Sequence, residues 1–313
     1  MEPEKRGQVV RMFMADGTVT GIREIEILTR TLHAFAVQRE RLADLKEWPD
    51  ANRPGVYFLF GETAEEKRKA YIGEAQKVVD RVIYHVREGQ KEFWTEAIFF
   101  VAKDENIHPK YLEAKLIDIA MVAGRYELDN DKTQREPMLA RADKNLMEQM
   151  LRDINLILGV LGHRILEPLP KAPISTGNKA TAAKDNPLLD REFSFLGRNF
   201  TAKGRLTDEG FLIFNGSTAS VDETPSRHPG LHLLREKLLN DGTFRKINEK
   251  QFEFTRDYLA NSSSQAASIV AGQNRSGPAS WISDSRTLRE LEAAAIDEKS
   301  NASKSSAVAP DAP

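Results

Sequence analysis

Residues 53–73 restrict the fold more than any other stretch of this chain. RPGVYFLF at 53–60 is apolar and β-prone on consecutive residues, GETAEEKRK at 61–69 is a charged loop, and AYIG at 70–73 is a second β-prone run ended by Gly73. Two such runs around a short polar loop predict an antiparallel hairpin. AIFFVAK at 97–103 has the length and composition of a third strand, and helical segments on either side of it predict a small sheet covered by helices. Val78, Val79, Val82, Ile83 and Val86 recur at helical spacing, while Lys77, Arg81 and His85 stand four apart on a neighbouring stripe. Pro109 suits the first turn of a further helix whose apolar face is Leu112, Leu116, Ile119, Ala120 and Ala123, with Glu113 on its boundary.

Several polar residues of this region have two readings. Arg81 can bridge two phosphate oxygens with its guanidinium, or sit on a solvated face paired with Glu74 or Asp80. Glu113, bordered by apolar neighbours, can ligate a hard divalent cation or pair with Lys110 or Lys115. Tyr57 and Tyr71 come from adjacent strands and can meet at one space, or serve as core aromatics of the hairpin. His85 suits a hydrogen bond to a phosphate or nucleophile, or a structural one. Asn130 stands in the polar turn LDND.

Taken in order, Gly55-Val56-Tyr57, Tyr71-Ile72-Gly73, Arg81 and His85 in YIGEAQKVVDRVIYH, Glu113 in KYLEAKLI and Asn130 in GRYELDN resemble the GIY-YIG nuclease family. The resemblance implies a compact α+β sandwich with a three-stranded antiparallel sheet flanked by helices, and metal-dependent endonuclease activity that hydrolyses phosphodiester bonds in DNA. It implies that Tyr57 acts on the nucleophilic water with Tyr71 in support, that Arg81 stabilises the transition state, and that Glu113 binds a single Mg²⁺ or Mn²⁺. His85 and Asn130 complete the implied catalytic set. A phenol needs a lowered pKa to act as a base near neutrality, and Arg81 or the metal is the expected cause. Two positions depart from the pattern: Val56 replaces the usual isoleucine, and Glu74 follows YIG where many relatives carry lysine. The other reading is a catalytically weak or silent module that keeps the fold and binds nucleic acid or protein.

The flanks divide into further segments. Residues 1–50 are expected to form a β-hairpin around Asp16-Gly17 and a helical extension, ahead of a nuclease domain at 51–167 that closes with the helix LMEQMLRDINLILGVLG. PLPKAPISTGNKATAAKDNP at 168–187 reads as a flexible linker. Residues 188–283 alternate strand-like runs and glycine turns before helix-like segments, a second small α+β domain. Arg205, Gly210, Phe211, Gly216 and Ser217, then Ser263, Ala266, Ala267, Gly272, Asn274, Gly277 and Trp281, resemble a domain of unknown function often found after GIY-YIG domains. Arg191, Arg198, Lys203 and Arg205 interleave with Phe193, Phe195 and Phe200 as a nucleic-acid contact strip, the other reading being that these aromatics fill the core. His228 and His232 stand four apart, but Pro229 and Gly230 intervene and no third zinc ligand is evident. Residues 284–313 read as a charged helix and a disordered tail.

Composition bears on partners and place. The chain carries 45 Lys and Arg against 47 Asp and Glu, so DNA, or RNA, must be met by local clusters rather than a general basic surface. Residues 50–135 alone hold 14 basic and 16 acidic side chains, which points to help from the flanking parts in capturing substrate. A protein partner or self-association stays open. There is no cysteine and no apolar run of membrane-span length, so no membrane role and a reducing cytoplasm are expected.

Overall fold

In the computed structural model, the described residues are 7–306 apart from 64, 66, 104–105, 131–135, 171–187, 190 and 225–228. The sequence-expected linker therefore lies almost wholly outside the described residues, as does His228. The chain has a mixed α+β fold with several sheets, and divides into two compact units, residues 1–169 and 170–313.

The first unit is built on one seven-stranded sheet. Its strands are β1 (Val10–Met14), β2 (Arg23–Ile27), β3 (Leu32–Gln38), β4 (Gly55–Glu62), β5 (Arg68–Ala75), β6 (Trp94–Ala102) and β7 (Glu127–Leu128), in the spatial order β1-β2-β3-β6-β4-β5-β7. The expected hairpin is β4–β5, with Tyr57 opposite Gly73, and the expected third strand β6 pairs β4 on its other side. The three-stranded sheet is thus only the middle of a larger one. The added strand β3 arises from LHAFAV, whose six residues are all buried; a strand covered on both faces shows no apolar–polar alternation to read. The helical extension expected between the first hairpin and residue 50 is instead strand β3 followed by a 3-10 helix, Arg39–Glu47.

Helices cover both faces. Val56, Phe58, Ile72, Ile98 and Phe100 pack beneath α2 (Pro109–Ala123) and α3 (Arg141–Val160), while Tyr57, Leu59, Phe99, Phe35 and Val37 pack against α1 (Val78–Arg87) and the 3-10 helix. Both cores are made of large apolar side chains almost wholly removed from water, each contributing on the order of 1.5–3 kcal/mol by transfer. Pro109 opens α2 as expected, and Gly124, in the left-handed region at φ 63°, closes it. The start of α1 is capped from outside: Asn52 Oδ1 accepts from the amides of Val79 and Asp80 at 3.1 and 3.2 Å. That contact fixes α1 to the loop entering β4, and so fixes Arg81 and His85 relative to Tyr57.

The second unit has a six-stranded sheet, a three-stranded sheet and helices around one core that includes Phe193, Phe211, Phe254, Ile269 and Trp281. Trp281 stacks on Phe211 at 4.2 Å between ring centres and donates its indole N–H to Ser263 O at 3.0 Å. Phe193 and Phe200 are buried and Phe195 packs against the same core, so these three are core residues and the proposed aromatic strip is not a surface. Arg191 pairs with Asp284 and Lys203 with Glu192, each at 2.8 Å. His232 is held by Glu223 and Glu236 at 3.0 and 3.4 Å. Residues 288–306 are helical, and 307–313 lie outside the described residues. No helix of the described residues is long and apolar enough to cross a membrane.

Candidate active site

The sequence-selected residues gather at the edge of the first sheet, where β5 runs beyond its two-residue pairing with β7. Tyr57 on β4 and Tyr71 on β5 face the α1 side, with ring centres 6.1 Å apart, and His85 on α1 lies 6.2 and 6.0 Å from the two rings. Tyr57 Oη is 3.0 Å from His85 Nε2, and His85 Nδ1 is 3.0 Å from Gln90 Oε1. Burial, with Arg81 and Lys91 nearby, pushes the His85 pKa down despite the bond to Gln90, so the ring is neutral. A neutral ring facing a carbonyl oxygen at Nδ1 carries its proton there, which leaves Nε2 to accept the Tyr57 hydroxyl proton.

The two phenols differ in exposure. Tyr57 is buried, and burial together with Tyr71 drives its pKa upward, against a downward pull from Arg81. The expected lowering by Arg81 is therefore present but outweighed by desolvation. Tyr71 is half-buried; burial also raises its pKa, opposed by Lys91, whose ammonium stands 4.4 Å from the ring centre. Arg81 is exposed, with its guanidinium 5.5 Å from the Tyr84 ring, and no ion pair joins it to Glu74 or Asp80 among the described residues. The stripe of Lys77, Arg81 and His85 thus runs from solvent to interior within two helical turns.

Gly73 makes the cluster sterically achievable. A Cβ there would lie 2.4 Å from Tyr57 Cζ and Oη and 2.9 Å from Tyr71 Cε1. The glycine of the second tripeptide is needed for the close approach of the first tripeptide's tyrosine.

Glu113 reaches the same edge from α2, on the opposite face of the sheet. It is 3% exposed, its Oε2 has no hydrogen-bond partner, and burial with the Glu74 carboxylate raises its pKa to about 7 against Lys110 and the Glu74 backbone amide. Among the described residues neither Lys110 nor Lys115 forms a salt bridge with Glu113, and Lys115 pairs with Glu136 at 2.7 Å. An orphaned, buried carboxylate oxygen fits a cation that waters and a substrate phosphate would complete. No group of three or more His, Asp or Glu side chains that could hold a metal occurs among the described residues, so Glu113 enters without a His or Asp cluster.

Asn130 lies beside the cluster and holds strand β5. Its Oδ1 accepts from Ile72 N at 3.1 Å and its Nδ2 donates to Ile72 O at 2.7 Å, satisfying both outward backbone groups where β7 has stopped pairing. Residues absent from the sequence reading complete the surroundings. Lys91 Nζ bonds Asp129 Oδ2 at 2.7 Å, Lys69 Nζ reaches Oδ1 of the same carboxylate at 2.5 Å, and Gln90 orients His85. Gln90 and Lys91 come from the turn after α1, where Gly89 and Lys91 both take positive φ and swing the chain back toward His85.

Comparison with known proteins bears on the second unit. A family model described as a domain of unknown function, DUF4357, matches residues 193–292. The second unit is similar to that domain from its first strand into its last helix, past Ser283, and Leu288 and Leu291 of that helix are buried in the unit's core. No GIY-YIG family model matches the first unit. No curated protein and no solved structure matches the chain.

Proposed function

We propose that the first unit is a metal-dependent endonuclease that hydrolyses phosphodiester bonds in DNA. The observation that carries this reading is the convergence of a Tyr57–His85 hydrogen bond, the half-buried Tyr71, the exposed Arg81 and the orphaned oxygen of Glu113 at one sheet edge. Hydrolysis of a phosphodiester needs a route for the water's proton, a cation over the phosphoryl oxygens and a hard Lewis acid.

Each need has a residue suited to it. His85 is neutral and accepts from Tyr57, so a proton taken up by the phenol has an acceptor behind it. This removes the requirement that Tyr57 ionise on its own, which its burial opposes. Tyr71, nearer solvent, and Arg81 suit contact with the scissile phosphate, the latter through a bidentate guanidinium. Glu113 would hold Mg²⁺ or Mn²⁺, which supplies charge neutralisation and water activation when bound. Asn130 acts through the β5 backbone as a positioning residue. The test is nicking of supercoiled plasmid by the full chain with Mg²⁺. Cleavage that Arg81→Lys lowers strongly, with plasmid binding retained, is expected; binding without cleavage in the wild type would favour the silent binding-module reading instead.

A further inference from the structure

Strand β5 alternates its side chains, and Ile72 lies on the face that α2 covers. Glu74 follows two residues later on that face, opposite Val56 and one residue from the end of the strand. Glu113 on α2 meets the backbone amide of Glu74, is 3% exposed, and its Oε2 has no hydrogen-bond partner. Glu74 forms no ion pair among the described residues, and the lysine beside Glu113 on its own helix, Lys115, is held by Glu136. Two carboxylates meet here, one of them buried, and Lys110 acts on Glu113 without forming an ion pair with it among the described residues; such a pair is costly unless an ion or a proton joins it.

We propose that Glu74 and Glu113 together bind one divalent cation, Glu113 from the buried side and Glu74 from the solvent side. The inference rests on the nuclease reading of this site and deepens it. With two carboxylates the ion gains charge complementarity that a single ligand would not give, and oxygen-only ligation suits Mg²⁺ and Mn²⁺.

Mn²⁺ binding to the full chain, followed by the paramagnetic resonance signal of the free ion, tests this apart from cleavage. The wild type is expected to bind one Mn²⁺ per chain, and Glu74→Gln and Glu113→Gln each to weaken it by about tenfold or more while keeping wild-type circular dichroism. Glu74→Asp is expected to recover part of the loss. Wild-type affinity in Glu74→Gln alongside loss in Glu113→Gln would overturn the inference and leave the nuclease reading standing. No Mn²⁺ binding by the wild type at millimolar concentration would overturn it as well, assigning the pair to a shared proton. Binding that depends on both carboxylates, with no nicking of plasmid, would uphold the cation site and remove the nuclease reading.

Discussion

Gly73 and Glu113 show how single residues set the chemistry of this edge. Because a methyl group on Gly73 would overlap Tyr57 at 2.4 Å, Gly73→Ala is expected to push the phenol away from His85. Overpacking of this kind costs about 1–3 kcal/mol of stability. A displacement of roughly 1 Å in a reacting group costs on the order of 10²-fold in rate. A folded Gly73→Ala protein that nicks plasmid at the wild-type rate would separate the Tyr57–His85 contact from catalysis. Glu113 makes a prediction about pH. Its folded pKa of about 7 lies above the ordinary 4.5, so the stability gained by burying its neutral form is fully present below about 4.5 and is lost as pH rises through about 7. In chelator, Glu113→Gln should therefore melt above the wild type at pH 8, with the difference closing toward pH 4. Equal melting temperatures at pH 8 would count against a buried, unpartnered carboxylate. The family resemblance named Tyr57, Tyr71, Arg81, His85, Glu113 and Asn130. It was silent on Gln90 and Lys91, because their contacts depend on a left-handed turn that no periodic pattern announces.

At the scale of elements, β5 is the strand whose anchoring matters most. It carries Tyr71, Gly73 and Glu74, yet its outer neighbour β7 pairs only with Lys69 and Ala70, and Asn130 takes over at Ile72. Asn130→Ala leaves a donor and an acceptor of the edge without partners, at a cost of about 1–3 kcal/mol. The Ile72 amide should then exchange its hydrogen markedly faster than in the wild type, while amides in central β6 are unchanged. Unaltered protection at Ile72 would show that the strand holds without this clamp. The hairpin β4–β5, strand β6 and helices α1 and α2 were legible because their apolar residues follow a period or a run bounded by polar turns. Strand β3 was not, since residues buried on both faces leave no alternation, and its pairing with β6 is a long-range choice made by packing. In the second unit Arg191 and Arg198, flanking β8 (Glu192–Gly197), and Lys203 and Arg205 on β9 (Phe200–Thr207) suggested a contact strip with Phe193, Phe195 and Phe200; these aromatics belong to the core instead.

The whole molecule comprises two compact units with separate cores, the first carrying the candidate site and the second similar to a domain of unknown function. The near balance of 45 basic and 47 acidic side chains means that affinity for a polyanion must be local, and Arg81 with Lys91 supplies the positive charge beside Tyr71. The central claim is that this edge cuts phosphodiester bonds with a divalent ion held by Glu113. Supercoiled plasmid incubated with the full chain, with Mg²⁺ or with chelator, tests it most directly. Nicked circles that form with Mg²⁺, vanish with chelator and are lost in folded Glu113→Gln are the expected result. Intact plasmid at every Mg²⁺ concentration, or nicking that Glu113→Gln retains in full, would contradict it.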